Sequence, residues 1–206
     1  MSEAPDPKIF FRERFPAQLN RVLAEQEQVA AAAQRALEGM RAVVATIRFV
    51  VAGDGGGSYF VNLTNGRSSA GDAAAQPPFL TIALARADYE PLFREAGDNV
   101  LGFLGGISGM GAPIKLTATR VAQIAEVGGT LLFELTGEGG FRLLARLGPG
   151  DPSEPADTSI RVDTATFREL RARKIEPQEA FMAGKIAVEG DMQRAMQLAL
   201  AVLSPD

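Results

Sequence analysis

The 206-residue sequence contains no histidine and no cysteine. These absences exclude Ser-His-Asp and Cys-His catalysis, thiolate chemistry and the usual zinc ligand sets. They also exclude disulfides, which fits a reducing cytosol. Carboxylate-only mechanisms and metal sites with oxygen ligands remain open, but no paired carboxylates favour an enzyme. We therefore predict no catalytic residue, no metal site and no cofactor.

The chain also lacks an excess of positive charge and long apolar runs. Its net charge of −4 gives no general attraction to nucleic acid or to anionic membranes. Its apolar stretches are interrupted within about ten residues, well short of a membrane span. The acidic, proline-rich N-terminus is unlike a signal peptide. We predict a soluble, cytoplasmic protein without a nucleic-acid partner, whose 46% hydrophobic residues can form a core.

The N-terminal region predicts a flexible tail over residues 1–7 and a long helix over 8–40. Pro16 suits a first helical position and Gly39 suits a helix end. Apolar residues recur at spacings of three and four, which predicts a packing helix with one buried face: Leu19, Val22, Leu23, Val29, Ala30, Ala33 and Leu37. A partner-binding or membrane-surface helix is the alternative, although the polar face lacks the basic density typical of the latter.

The period then changes to that of strands. Strands are predicted at 43–51, 58–64, 79–84, 130–136, 141–147, 159–163 and 185–189, with glycine turns at 54–57 and 137–140. Helices are predicted after the capping residue Asp88, over 98–104, from Thr164 and from Pro177. Residues 114–124 fit both patterns, and we interpret them as a strand.

Two stretches of the sequence align with two others. Residues 81–92 align with 159–170, and residues 101–106 align with 179–184. This suggests duplication of a strand–strand–strand–helix–helix unit, with a degenerate half at 41–125 and a second half at 126–206. The alternative is that small α+β halves look alike at this level and that the first half completes one larger sheet.

The run from Pro177 to Leu198 is rich in methionine and bounded by glycines. Gly184 suits the residue after a helix end, and Asp191 can cap the next helix. Methionine is flexible and polarisable, so the run could line an adaptable apolar site, although core packing is the plainer interpretation. Eight residues of the run follow one spacing: Phe181, Gly184, Lys185, Gly190, Asp191, Met192, Ala195 and Leu198.

This spacing resembles the C-terminal signature of the sterol carrier protein, or sterol-transfer, family. The resemblance covers residues 126–203 well and 40–125 only through the internal alignment. In the first half, Ile107 stands where the alignment places Lys185, and the Gly-(Asn/Asp)-Met turn is missing. If one half binds a ligand, we therefore expect it to be the C-terminal half.

The resemblance implies an α+β fold, with mainly antiparallel sheet covered by helices and an apolar tunnel. It implies non-catalytic binding or transfer of a fatty acyl chain, acyl-CoA, phospholipid or sterol-like ligand. Transient membrane contact and a homo-oligomer stay open. The predicted lining residues are Phe167, Leu170, Phe181, Met182, Ile186, Met192 and Met196, with Leu101, Phe103 and Met110 in the first half. The alternative is a structural or assembly protein that reuses the fold and associates through residues 16–40.

Three smaller features have two interpretations each. Lys185 is either a cation for a ligand headgroup or a solvated strand residue. Glu189 and Asp191 are either metal ligands or, the interpretation we prefer, a surface charge and a helix cap. The cluster from Gly102 to Gly111 lacks the Gly-Lys-Ser/Thr of a phosphate-binding loop and is either a lid or a tight bend.

Overall fold

The computed structural model describes residues 6–97, 101, 114–172 and 174–203. The helices are α1 (Pro7–Ile9), followed by a π-helical segment (Phe10–Arg14), α2 (Phe15–Arg41), α3 (Arg86–Ala96), α4 (Ala118–Val127), α5 (Thr164–Arg171), α6 (Pro177–Met182) and α7 (Met192–Leu203). The strands are β1 (Val44–Ala52), β2 (Gly57–Thr64), β3 (Arg67–Gly71), β4 (Pro78–Ala85), β5 (Gly129–Thr136), β6 (Phe141–Leu147), β7 (Thr158–Asp163) and β8 (Ile186–Gly190). This is the expected α+β fold.

All eight strands lie in one sheet of order β3-β2-β1-β4-β6-β5-β7-β8. The pairs β1–β4 and β5–β7 are parallel, and the other neighbouring pairs are antiparallel. The two halves of the chain join where β4 pairs with β6, with Leu80 opposite Leu147. The sheet is therefore mainly antiparallel and continuous across the join.

The two faces of the sheet differ in chemistry because successive side chains point to opposite sides. One face carries the core, and Leu80, Ile82 and Leu147 are fully or almost fully buried there. On the other face, Arg161 pairs with Glu134 at 2.7 Å and with Glu189 at 3.6 Å. The second half alternates cleanly in burial along β6, as expected of a sheet with one solvated face.

The two halves share one order of connections. Each begins with an antiparallel hairpin, β1–β2 or β5–β6, later adds a strand parallel to the first, β4 or β7, and then enters a helix, α3 or α5. The first half differs by β3, which follows its hairpin. Val51 lies opposite Leu84, as Leu135 lies opposite Val162. This register gives the same residue correspondence as the alignment of 81–92 with 159–170.

The hairpin turns of the two halves also match. The Gly56 amide donates to the Gly53 carbonyl at 3.0 Å, and the Gly140 amide donates to the Gly137 carbonyl at 3.0 Å. Gly53 and Gly137 both have positive φ, of 102° and 91°. Glycine tolerates this conformation without the Cβ clash that other residues meet.

Three local predictions are wrong. Residues 118–127 form helix α4 rather than a strand: Thr117 caps it by accepting from the Arg120 amide at 3.3 Å, and Ile124 is fully buried. The segment after Asn65 contains the additional strand β3, which pairs with β2. Asp88 lies inside the first turn of α3, which starts at Arg86, and accepts from the Arg142 amide at 3.1 Å.

The prediction of a buried face on the N-terminal helix is also wrong. Every apolar residue named for that face is exposed, and Ala36 is the one described residue of α2 that is buried. Contact with the rest of the fold lies near the helix end, where a Cβ on Gly39 would lie 3.1 Å from the Thr117 side chain. Gly39 therefore permits a close helix contact, and the helix ends at Arg41 instead.

Several predictions fall outside the described residues. They are the helix over 98–104 apart from Leu101, the lining residues Phe103 and Met110, and the glycine cluster 102–111. The same holds for residues 1–5 of the predicted tail, whereas Pro7 begins α1. The division of the chain at residues 125 and 126 stays a prediction. Within the described ranges, no helix combines the length and apolar content needed to cross a membrane.

Candidate functional site

The corner between α6 and β8 is built as the glycine pattern predicted. Gly184 follows the last residues of α6 with a φ of 70°, and its amide donates to the Phe181 carbonyl at 3.0 Å. The Lys185 amide donates to the Ala180 carbonyl at 2.9 Å, which closes the helix end. Ile186 then turns inward and is buried. Local signals therefore predict the end of α6 and the start of β8.

The turn between β8 and α7 is held by carboxylates. Asp191 caps α7 by accepting from the Arg194 amide at 3.0 Å. A Cβ on Gly190 would collide with the Asp157 carbonyl oxygen. The Asp157 carboxylate accepts from the Thr130 amide at 2.6 Å and pairs with Arg194 at 3.1 Å. These donors, the Thr130 amide first, lower the pKa of Asp157.

The charged residues of the motif all have protein partners. The Lys185 Nζ lies 3.4 Å from the Glu169 Oε2, and both side chains are exposed, so this pair adds little stability. Glu189 pairs with Arg161 and Asp191 acts as the cap. In the part of the chain that the structure describes, no group of three or more acidic side chains is placed to hold a metal ion.

Four predicted lining residues of the C-terminal half are exposed on its surface. Phe181 and Met182 lie on α6, and Met192 and Met196 lie on α7. Met182 and Met196 are the most open of these, with 79% and 60% of their surface exposed. Together with Leu200, the two methionines of α7 recur every four residues and share one helix face. We call Met192, Met196 and Leu200 the α7 stripe.

The other predicted lining residues lie in the core. Phe167, Leu170 and Ile186 are buried in the cluster that joins both halves, and Leu101 packs against it. The structure therefore separates the predicted set into a buried group and an exposed group. Whether any of these residues contacts a ligand stays a prediction.

A groove of about 390 Å³ lies between α4 and α7. Its lining consists of Gln123, Glu126, Val127, Gln197, Leu200 and Ala201. Leu200 belongs to both the groove and the α7 stripe, so the exposed apolar surface leads into this concave region. The groove was not anticipated from the sequence because α4 was interpreted as a strand.

A second cavity, of about 460 Å³, lies in the first half, between the sheet and α3. Its lining is mainly apolar and consists of Phe49, Val51, Gly55, Tyr59, Ile82, Leu84, Arg86, Tyr89 and Leu92. We call it the α3 pocket. Sequence reasoning missed it, although the alignment of 81–92 with 159–170 pairs Tyr89 with the buried Phe167 and could have raised the question.

The comparison with family models concerns the C-terminal half. Residues 113–202 match the model described as the SCP-2 sterol transfer family. This range contains α4 to α7 and excludes the α3 pocket.

Curated relatives match a similar fraction of the chain. Hydroxysteroid dehydrogenase-like protein 2 of Bos taurus is 36% identical over 73 residues, which are 35% of this chain and 16% of that protein. The protein of that name from Xenopus laevis is 40% identical over 52 residues, 25% of this chain and 12% of that protein. The matches thus span about a sixth or less of the length of these relatives.

Solved structures show weaker likeness. The UbiJ-SCP2 Ubiquinone synthesis protein has a TM-score of 0.37 and 19% identity, covering 57% of this chain and 99% of that one. Sterol Carrier Protein 2 from Yarrowia lipolytica, in its apo form, has a TM-score of 0.30 and 23% identity, covering 39% of this chain and 77% of that one. At these low TM-scores, the fold described above rests on the strand order and register of this chain.

Proposed function

We propose that the C-terminal half, whose residues 113–202 match the model of the SCP-2 sterol transfer family, binds and carries a lipid or similar apolar ligand without catalysis. A fatty acyl chain, acyl-CoA, a phospholipid and a sterol-like molecule all fit this class. The observation that carries the proposal is the exposure of large apolar side chains on α6 and α7, among them the motif residues Phe181 and Met192.

Exposure at these positions has a physical cost that binding would remove. Isolated exposed apolar residues are ordinary, but a set of large ones on adjacent elements marks an interaction surface. Covering such a surface contributes roughly 25 cal/mol per Å² of apolar area removed from water. Methionine suits this role because its flexible side chain adapts to irregular ligands.

We place the ligand along the α7 stripe and into the α4–α7 groove. Leu200 links the two, and the polar groove residues Gln123 and Gln197 can donate hydrogen bonds to a headgroup. Lys185 is a weaker candidate because Glu169 already neutralises it. The tunnel expected from the family resemblance would form when the ligand covers the stripe.

The test compares two charge substitutions on the same helix. Met196→Glu places a carboxylate within the stripe, and Gln193→Glu places one at an exposed position next to it. The full chain is mixed with phosphatidylcholine vesicles that contain a pyrene-labelled fatty acid, and uptake is followed by the change in pyrene fluorescence. We expect Met196→Glu to reduce uptake by about tenfold or more, because it places an unpaired carboxylate against the acyl chain of the fatty acid.

Gln193→Glu should take up the probe like the unmodified chain. Equal uptake by both variants would place the ligand elsewhere. No uptake by the unmodified chain would contradict lipid transfer altogether. Circular dichroism of each variant checks that the fold is unchanged.

A second candidate function is self-association through α2, which is favoured by the exposed apolar residues of that helix. Leu19, Val22 and Val29 follow the spacing of a coiled-coil seam that continues through Ala33 to Met40. Gln26 is the polar residue of this seam, and Ala36 is already buried within the chain. A second copy of α2 would cover this seam. Such an interface would suit either a dimeric carrier or an assembly protein that binds no ligand.

Light scattering after size exclusion tests self-association. Val22→Glu should convert a dimer into a monomer, because it buries a charge in the seam, whereas Gln28→Glu, on a neighbouring polar position, should not. A monomer at all concentrations for the unmodified chain would reject the homo-oligomer. Lipid uptake by a monomeric Val22→Glu variant would separate the two candidate functions.

A cytoplasmic location and an origin of the two halves by duplication also belong to this proposal. The shared connection order and the matching glycine turns support duplication. The absence of histidine and cysteine supports a role without catalysis. The relatives are named as dehydrogenase-like proteins, but the match to this chain covers 16% of the length of the Bos taurus protein.

A further inference from the structure

We propose that the α3 pocket is a second ligand site, which takes one amphiphile with an apolar body and a carboxylate head. The pocket lies outside residues 113–202, so it is separate from the site proposed above. The inference depends on the difference between two halves that share one layout. It does not depend on ligand binding by the C-terminal half.

At two aligned positions the second half carries a buried aromatic ring and the first half does not. Leu135 pairs with Phe141, whereas the corresponding Val51 pairs with Gly57. Phe141 is buried and stacks on Phe133, with ring centroids 6.1 Å apart. Gly57 supplies no ring of its own, and the Tyr59 hydroxyl lies 3.2 Å from where a Gly57 Cβ would be. Tyr59 lines the pocket here, whereas Phe141 is part of the core of the second half.

The helices α3 and α5 differ in the same way, because the aromatic ring of α3 is less buried than that of α5. Phe167 of α5 is fully buried, whereas Tyr89, the corresponding residue of α3, is 43% exposed. Tyr89 instead stacks with the exposed Phe93, and the Arg86 guanidinium lies 5.3 Å from the Tyr89 ring centroid. The α3 aromatic ring thus forms a wall of the pocket where the α5 ring fills the core.

The lining determines the class of ligand. Ile82, Leu84 and Leu92 are buried and form an apolar floor, which favours an aliphatic or ring-shaped body. The volume of about 460 Å³ lies within the roughly 300–1,000 Å³ of small-molecule pockets. One molecule of moderate size therefore fits, and not a large two-chain lipid.

Arg86 selects the head of the ligand. Among the described residues that line the pocket it is the cation, and its Nη2 lies 3.3 Å from the Glu90 Oε1 in an exposed pair within one helix. Such pairs contribute little, so a ligand carboxylate can replace Glu90 as the partner. A guanidinium favours a carboxylate because it can donate two parallel hydrogen bonds.

The test uses dodecanoate and the isotope-labelled full chain in nuclear magnetic resonance. Titration should shift the backbone amides of Gly55, Arg86 and Leu92 in a saturable way. Val51→Phe should weaken this binding by about tenfold or more, because the larger ring occupies the pocket. Val50→Phe is the matched control, since the neighbouring residue points to the opposite face of β1, and it should leave the titration unchanged.

Arg86→Gln provides a second, surface variant that keeps the core intact. It should weaken dodecanoate binding but leave dodecanol binding unchanged. The inference is wrong if the three amides do not shift below the micelle concentration of dodecanoate, or if they shift equally in Val51→Phe. Shifts confined to α7 amides would support the C-terminal site alone and reject this one.

Discussion

The two halves of the chain share the order of hairpin, parallel strand and helix, with β3 added in the first half, and they differ in packing. In the second half, Phe133, Phe141 and Phe167 are buried in the core. In the first half, Gly57 and Tyr89 stand at two of these positions and a pocket remains. The exposed apolar surface of the second half lies instead on α6 and α7.

This difference shows that aligned positions can form a pocket wall in one half and core in the other. The choice depends on a few ring-sized side chains rather than on strand order. Tyr89 lines the α3 pocket, whereas the aligned residue Phe167 lies in the core. The role of a residue in one half can therefore be inferred from the aligned residue of the other half only when the burial of both is known.

The largest effect on stability should come from removing a buried aromatic ring of the second half. Phe167→Ala should lower the free energy of unfolding by about 3–5 kcal/mol, because it removes a fully buried ring and leaves a cavity. Tyr89→Ala should cost less than half as much, since the ring is partly exposed. Urea unfolding of both variants measures the difference, and equal losses would break the comparison.

An intermediate effect is expected at the link between the halves. The buried Glu95 carboxylate at the end of α3 accepts from Arg168 of α5, with an Nη2–Oε1 distance of 2.5 Å, and Arg171 donates to the Glu95 carbonyl. The Glu95 carboxylate raises the pKa of Arg168. Glu95→Gln should lower the free energy of unfolding by less than Phe167→Ala does, because the charge-assisted hydrogen bond that it weakens ends on a partly exposed guanidinium.

Because the sheet is continuous, this variant should still unfold in one transition at lower urea concentration. Two separate transitions would show that the halves are independent units. Tyrosine fluorescence and circular dichroism should give the same midpoint. Glu90→Gln, on the exposed side of α3, is the control and should change the midpoint little.

The smallest effect concerns the helix starts. Asp163 caps α5 by accepting from the Thr166 amide at 2.9 Å, whereas Ala85, the corresponding residue before α3, offers no side-chain cap. Asp163→Ala should cost about 1 kcal/mol, and Ala85→Asp should add a similar amount or less. Thermal unfolding of the two variants checks this, and shifts of the same sign would reject the equivalence of the two positions.

The cap also predicts a pH dependence. The Thr166 hydroxyl and amide hold the pKa of Asp163 below its ordinary value of 3.8. The cap is therefore fully effective above that pH and is lost as the pH falls through the lower, folded-state pKa. The stability difference between Asp163→Ala and the unmodified chain should vanish in this acid range.

Much of the fold could be predicted where the signals are local. The run from Gly184 to Asp191 has glycines at positive-φ turns and a capping carboxylate, and each element formed as expected. The strand predicted over 114–124 was wrong because threonine and alternating apolar residues suit both a strand and a helix. Residues 118–127 form a helix that buries Ile124. The exposure of α2 could not be derived, because a periodic apolar face does not reveal what covers it.

The candidate sites were less predictable than the elements. The exposed methionines of α6 and α7 and the buried Phe167 share one apolar composition, and only tertiary packing separates them. The α3 pocket depends on the pairing of Val51 of β1 with Gly57 of the neighbouring strand β2. Such a pairing is a property of the register and not of the local sequence.

The most direct test of ligand binding is a count of bound molecules. The delipidated full chain is incubated with dodecanoate below its micelle concentration, and its mass is measured under native conditions. We predict two bound molecules for the unmodified chain, one for Met196→Glu, one for Val51→Phe and none for the double variant. A chain that stays empty throughout, or an identical count in all four proteins, would contradict the account.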